Sequence, residues 1–179
     1  MNLELEYIKK ARKNIDEFKW LYDKYFERIF RFVFRRTDRE NLTADITSQV
    51  FLKAMQNLKK YDDRGVPFSA WLYKIAENEV KRHFRDGSRV VFSMEEELLK
   101  EIASTDDDEI TDERLEALTI QLERLSTIEL EILQLRYFEG HDFQEISYIL
   151  DISLSGAKMR AHRALEKLRK HFNSVNKPK

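Results

Sequence analysis

Asp142-Phe143-Gln144-Glu145-Ile146-Ser147-Tyr148-Ile149-Leu150, a break at Asp151-Ile152-Ser153-Leu154, and then Ser155 to Leu168 read as two short helices joined by a tight turn. Asp142 followed three residues later by Glu145 has capping-box spacing, and Gly140 just upstream ends the preceding helix. Phe143, Ile146, Ile149 and Leu150 share one side of the first helix. In the second, Ala157, Ala161, Ala164, Leu165 and Leu168 form a stripe that begins with small residues and so permits a close helix crossing. The opposite face carries Ser155, Lys158, Met159, His162 and Arg163, with Arg160 nearer an edge. Such a pair is a helix-turn-helix whose basic second helix suits a major groove. The same spacing also describes an ordinary helical hairpin with a solvated basic face.

Two details favour the groove. Met159 sits at the centre of the outward face, where a solvated helix more often carries Lys or Glu, and an apolar side chain there suits a thymine methyl. Charge is also placed with direction: residues 158 to 179 hold eight Lys or Arg against one acid, Glu166, in a chain whose formal net charge is −1.

A chain of 179 residues has room for one ordinary domain or two small ones. Four glycines and two prolines are too few for a fold that turns often, and 36% charged residues suit amphipathic helices, so the expected class is all-α. The absence of cysteine excludes disulfides, thiolate nucleophiles and zinc–thiolate sites. No apolar run approaches the roughly 20 residues of a membrane span, and Met1-Asn2-Leu3-Glu4 does not read as a signal peptide. The expectation is a cytoplasmic helical protein without membrane insertion.

In chain order, residues 1 to 15 read as a polar helical lead-in. Phe18, Leu21, Tyr22, Tyr25, Phe26, Ile29, Phe30 and Val33 follow at three- and four-residue steps, a core-facing helical stripe. Phe32 and Phe34 lie off it, so this helix buries a second surface or meets a partner. Thr37 to Asn41 reads as a connection, and the next helix, about Thr43 to Leu58, carries Ile46, Val50, Phe51, Met55 and Leu58. Tyr61 to Pro67 is a turn punctuated by Gly65 and Pro67.

After the turn, Phe68, Trp71, Leu72 and Ile75 make a core face. Lys74, Asn78, Lys81, Arg82 and Arg85 fall within about 100° of one another on a helix of 3.6 residues per turn. A basic stripe entered through a turn flanked by Tyr61 and Phe68 suits a phosphate backbone and an unstacked base; a solvated face beside core aromatics is the plainer explanation. Residues 95 to 116 then hold eleven acids against two bases, which reads as a mobile linker, with a short helix conceivable from Ser93 through Ile102. Such a segment can also mimic nucleic acid and shield the basic helices. Leu115, Leu118, Leu122 and Leu125 mark the first helix of a closing four-helix domain. Ser126 to Glu129 has capping-box spacing for the second, which runs through Leu130, Leu133, Leu135, Tyr137 and Phe138 to Gly140.

Leu125-Ser126, Leu135 to Gly140, Glu145-Ile146, Ile149 to Ser153 and Lys158 to Ala164 resemble the fourth region of bacterial sigma factors. Asp45-Ile46-Thr47, Val50 to Ala54, Phe68 to Leu72 and Ile75 to Asn78 resemble their second region, and the two stretches stand in the right order. The short connection leaves no room for the middle domains of larger members, as in the extracytoplasmic-function group. The resemblance implies a region 2-like domain at residues 1–86, an acidic linker at 87–114 and a region 4-like domain at 115–179.

It also implies a division of labour. The helix carrying Asp45, Gln49, Phe51, Leu52 and Met55 would dock on the clamp helices of core RNA polymerase. Tyr61, Phe68, Lys74, Asn78, Lys81, Arg82 and Arg85 would serve the promoter −10 element. Ser155, Lys158, Met159, Arg160, His162 and Arg163 would meet the −35 element. An anti-sigma factor is implied as a further partner.

Several positions depart from the usual pattern. Ala44 and Gln49 stand where acids are common, and Met55 replaces a usual tryptophan. Glu77 and Arg82 reverse the usual signs on the −10 helix, and Gly156 stands where threonine is commoner. A helix-turn-helix regulator acting without polymerase docking would explain residues 115 to 170 but leave the amino-terminal match idle, and a module that binds proteins through its helices is a more distant reading. An enzyme is disfavoured, because His83, His141, His162 and His171 are scattered and no Gly-rich phosphate loop or metal-ligand spacing occurs. The sequence calls for no cofactor.

Overall fold

The structure, a computed structural model, describes residues 3–62, 65–84, 122 and 124–172. The described residues are mostly helical, without a strand, and the chain divides into two compact units, each drawn mainly from one half. The expected linker, the short helix after Ser93, Arg85, and Leu115 and Leu118 all lie outside the described residues.

Among the described residues the amino-terminal unit carries the α-helices α1 Leu3–Lys13, α2 Phe18–Thr37, α3 Glu40–Asn57 and α4 Phe68–Phe84. Of the stripe predicted from Phe18, Phe18, Leu21, Tyr25, Ile29 and Val33 are buried, as are Val50, Ala54, Leu58, Leu72 and Ala76 of the other helices, whereas Phe26 and Phe30 are half-buried and Tyr22 is 38% exposed. Phe32 opens the second surface. It is fully buried, its ring 4.9 Å from Tyr73, while Phe34 stays outward. The lead-in is better integrated than its polarity suggested: Ile8 and Ala11 are buried, and Tyr7 stacks on Trp20 at 4.5 Å.

The connection read at Thr37 to Asn41 shrinks to Asp38 and Arg39. Asp38 caps α2 in the left-handed region at φ 51°, which a short polar side chain tolerates where a branched one would not. Thr37 Oγ1 meets Thr43 Oγ1 at 2.6 Å across this corner, so two buried hydroxyls satisfy each other.

The carboxy-terminal unit contains α5 Thr127–Leu133, α6 Phe143–Leu150 and α7 Leu154–Phe172. Leu122, Leu125, Leu133, Ala164 and Leu168 form its core, with Leu130, Tyr137, Phe138 and Leu165 partly buried around them. α5 does not continue as an ordinary helix to Gly140. Gln134–Phe138 is a wider π-helical turn in which the Glu139 amide donates to the Gln134 carbonyl at 3.2 Å. Leu133 and Leu135, two residues apart, are both fully buried, a pattern that one face of a regular α-helix does not provide. Gly140, at φ 72°, then reverses the chain into α6.

Candidate nucleic-acid interface

Local sequence sets the angle at which α6 and α7 leave their turn. Asp142 Oδ1 accepts from the amides of Gln144 and Glu145, each at 2.8 Å, and Glu145 Oε2 accepts from the Asp142 amide at 3.2 Å. The predicted capping box is therefore complete. His141 is tied into it through Nδ1, 2.7 Å from Glu145 Oε2, while Arg136 donates to the His141 carbonyl at 3.0 Å. Asp151 closes α6 in the left-handed region at φ 57°. Ser153, not singled out from the sequence, caps α7, its Oγ accepting from the Gly156 amide at 3.0 Å.

The inward face of α7 is as expected, with Ala157, Ala161, Ala164 and Leu168 buried. Ser155, Lys158, Met159, His162 and Arg163 are exposed, Met159 to 50%. Arg160 is half-buried: its guanidinium lies back over Gly156, 2.8 Å from where a Cβ would stand. Lys167, counted from the sequence among the basic residues of this segment, is an anchor. It donates to both oxygens of the buried Glu129, at 2.6 and 2.8 Å, and Glu129 also completes the capping box at Ser126. Burial pushes the Glu129 carboxyl up, but hydrogen bonds from Lys167 and Ser126 outweigh it and hold the group below the usual carboxylate range.

On α4, Asn78, Lys81 and Arg82 are exposed and Lys74 is half-buried. The two aromatic residues assigned to the −10 surface belong to the core instead. Tyr61 and Phe68 are buried, ring to ring at 5.4 Å, and Trp71 packs 5.4 Å from each. Burying those rings removes more apolar surface from water than presenting them would, so they wall the turn and do not offer stacking faces. The turn is latched from α1, where Arg12 donates to the Leu58 carbonyl at 3.2 Å and to that of Tyr61. Nothing in the sequence around Arg12 signals this role, since its acceptors are backbone groups 46 and 49 residues away.

On α3, Asp45 and Gln49 are exposed, Leu52 is 45% exposed and Met55 is half-buried. Phe51 is the exception. It is buried beneath Tyr22 and Phe26, with centroids at 4.7 and 6.1 Å. Asp45 and Gln49 line a surface cleft of about 690 Å³ together with Arg82 and His83 from the end of α4.

Two family models match the chain: Sigma-70 region 2 over residues 21–90 and Sigma-70 region 4 over residues 121–170. The chain belongs to the RNA polymerase sigma factors. Its relatives place it in the extracytoplasmic-function group. It is 26% identical over 168 residues to the ECF RNA polymerase sigma factor BldN of Streptomyces coelicolor, covering 92% of this chain and 64% of BldN. To SigW of Bacillus subtilis it is 28% identical over 185 residues, covering 94% and 96%. Among solved structures it is similar to CnrH in complex with the cytosolic domain of CnrY, at TM-score 0.61, 22% identity and coverage of 94% and 95%. It is also similar to the sigma factor RpoE in complex with the anti-sigma factor NepR from Bartonella quintana, at TM-score 0.60, 18% identity and coverage of 90% and 99%. Both likenesses support the all-helical fold.

As a sigma factor the chain binds core RNA polymerase and directs promoter-specific initiation of transcription. The region 2 match favours this over a helix-turn-helix regulator that works without polymerase. Among the described residues no helix is long and apolar enough to cross a membrane.

Proposed function

We propose that residues 1–86 dock the sigma factor on core polymerase and recognise the −10 element, that 87–114 connect, and that 115–179 recognise the −35 element. In this reading α7 enters the major groove, with Lys158, Met159, His162 and Arg163 facing base edges and Ser155 and Arg160 at the near margin. The observation that carries it is the two-sided character of α7: alanines buried on one face, cations around an exposed methionine on the other. With Tyr61 and Phe68 in the core, −10 contacts fall to the stripe of Lys74, Asn78, Lys81, Arg82 and Arg85, and the two rings shape the turn. With Phe51 buried, polymerase contacts fall to Asp45, Gln49, Leu52 and Met55, of which Leu52 is the exposed apolar anchor.

The protein works in the cytoplasm beside its polymerase and supplies binding and strand selection, while the polymerase supplies the chemistry. An anti-sigma factor is its expected regulator, a reading supported by the complexes of CnrH with CnrY and of RpoE with NepR.

The test is reconstitution. The purified chain is expected to co-elute with core polymerase and to yield promoter-dependent transcripts, and to bind promoter duplex well only with core present, at fixed near-physiological salt. Tight, sequence-specific binding by the free chain, unaffected by core or by loss of residues 1–86, would overturn the proposal.

A further inference from the structure

The −10 helix carries two acids that the basic stripe does not account for. On a helix advancing about 100° per residue, Glu77 and Glu79 stand on either side of the stripe, Glu77 about 40° beyond Lys81 and Glu79 about 60° beyond Arg82. Both are buried, Glu77 at 1% exposure and Glu79 at 4%. Each bridges one cation from a packing helix to one cation on the stripe. Glu77 accepts from the buried Arg36 of α2, and its Oε1 lies 3.0 Å from the Lys81 ammonium. Glu79 accepts from Lys53 of α3, and its Oε2 receives Arg82 at 2.5 Å. The two margins of the stripe are thus pinned, one to α2 and the other to α3.

We infer that Glu77 and Glu79 are positioning residues for the −10 surface, holding Lys81 and Arg82 at a set reach before DNA arrives. This rests on the proposed role of α4. A cation held against a buried carboxylate has few rotamers left to lose on binding, whereas a free Arg or Lys on a helix must be ordered by the DNA itself. Each triad keeps a net charge of +1, so the stripe remains attractive to phosphate. The pinning lowers general stickiness and favours a nucleic acid whose phosphates match the set positions. It also accounts for the acid at position 77: Arg36 comes up beneath α4 from α2, and a second cation at position 77 would leave two buried positive charges facing each other.

Glu79 is the position to test, because water reaches both its partners, Lys53 at 36% side-chain exposure and Arg82 at 58%. Glu79→Gln keeps the shape and is expected to fold, as checked by its melting curve. Holoenzyme is assembled from full-length chain and core polymerase. Binding is measured to a promoter duplex selected by the wild-type holoenzyme from a random pool, and to a non-promoter duplex of equal length. The ratio of the two affinities is expected to fall about five-fold in Glu79→Gln, as Arg82 is released and must be ordered on binding. Non-promoter binding is expected to hold or rise, with a salt slope steeper by up to about one.

Adding Lys53→Met to Glu79→Gln returns the net charge to its original value, and the ratio is expected to stay low. Recovery of the ratio in that double variant would mean that charge alone acts, and would overturn the inference. An unchanged ratio in Glu79→Gln, or parallel loss on both duplexes in step with lost stability, would overturn it too. Failure of the wild-type holoenzyme to select any promoter would remove the surface being positioned, and with it both this inference and the function on which it rests.

Discussion

The sigma factor carries two cationic helix faces built on opposite plans. On α4, Lys81 and Arg82 are tied to buried carboxylates that are themselves tied to α2 and α3. On α7, neither Lys158 nor Arg163 has a carboxylate partner among the described residues, and His162 stands 3.7 Å from the exposed Glu166. Lys167 of α7 is firmly held, spent on Glu129 inside the domain. An anchored face presents charge at chosen points, while a loose one adapts to what it meets and is ordered in the act. Base edges in a groove reward the second plan, because a long side chain must find its hydrogen bonds there. A phosphate path beside opened strands rewards the first.

The contrast is broken most severely at Arg36. Arg36→Met leaves Glu77 buried with Lys81 as its remaining cation in the triad, and is expected to cost about 3–5 kcal/mol in urea unfolding. The double variant Arg36→Met, Glu77→Leu is expected to recover most of that loss, because the uncompensated charge goes with it. Burial pushes the Glu77 carboxyl up, yet Arg36 and Lys81 hold it below the usual carboxylate range, so a buried carboxylate left with only the half-exposed Lys81 in the single variant is the expensive one.

Smaller effects are expected on the loose face. Arg163→Ala or Lys158→Ala is expected to weaken −35 binding by about 1–3 kcal/mol where the side chain reads a base, with folding unchanged. A phosphate contact would instead weaken all sequences alike and lower the salt slope by about one. Unchanged promoter output from both variants would remove α7 from the −35 element.

The Glu129–Lys167 anchor sharpens the comparison through pH. The folded Glu129 carboxyl titrates below its unfolded value, so its contribution to stability is complete above about pH 5 and is lost as pH falls through the folded value. Glu129→Gln is expected to flatten that acid limb in denaturation curves taken between about pH 2 and 6. An equally steep limb in the variant would assign the acid sensitivity to other groups.

The smallest effect is expected at Gly156. Gly156→Ala gains helix propensity of about 0.5–1 kcal/mol, set against displacement of the Arg160 guanidinium and the Ser153 hydroxyl, each 2.8 Å from the new Cβ. Because both are ends of side chains, the melting temperature is expected to move little while Arg160 is driven outward. A changed base preference at one edge of the −35 element would register that movement, and identical preference would leave Arg160 with no reading role.

Much of this molecule follows from spacing alone. The stripe from Phe18 to Val33, the capping boxes at Ser126 and Asp142 and the two faces of α7 are local patterns. Helix periodicity and backbone hydrogen bonding act within a few residues, so a chain read in order reveals them. Spacing set Phe68 on a core face and Phe51 among the apolar residues of its helix, whereas the reading of Tyr61 and Phe68 as flanking an unstacked base, and the resemblance that gave Phe51 a docking role, set all three on binding surfaces; the structure buries them. An aromatic beside a basic stripe has the same signature whether it meets a base or a neighbouring helix, and only packing chose the core. The partners of Arg12, Arg36 and Lys53 were decided in the same way, since their acceptors lie 26 to 49 residues away on other elements. The sequence by itself determined the main helices and most of their apolar faces, because these depend on neighbours along the chain, but not the short connection at Asp38 and Arg39 or the π-helical turn at Gln134–Phe138. Which charges are anchored, and which remain available to DNA, was settled only when α4 packed against α2 and α3, because a buried ion pair exists only where separate helices bring both partners out of water together.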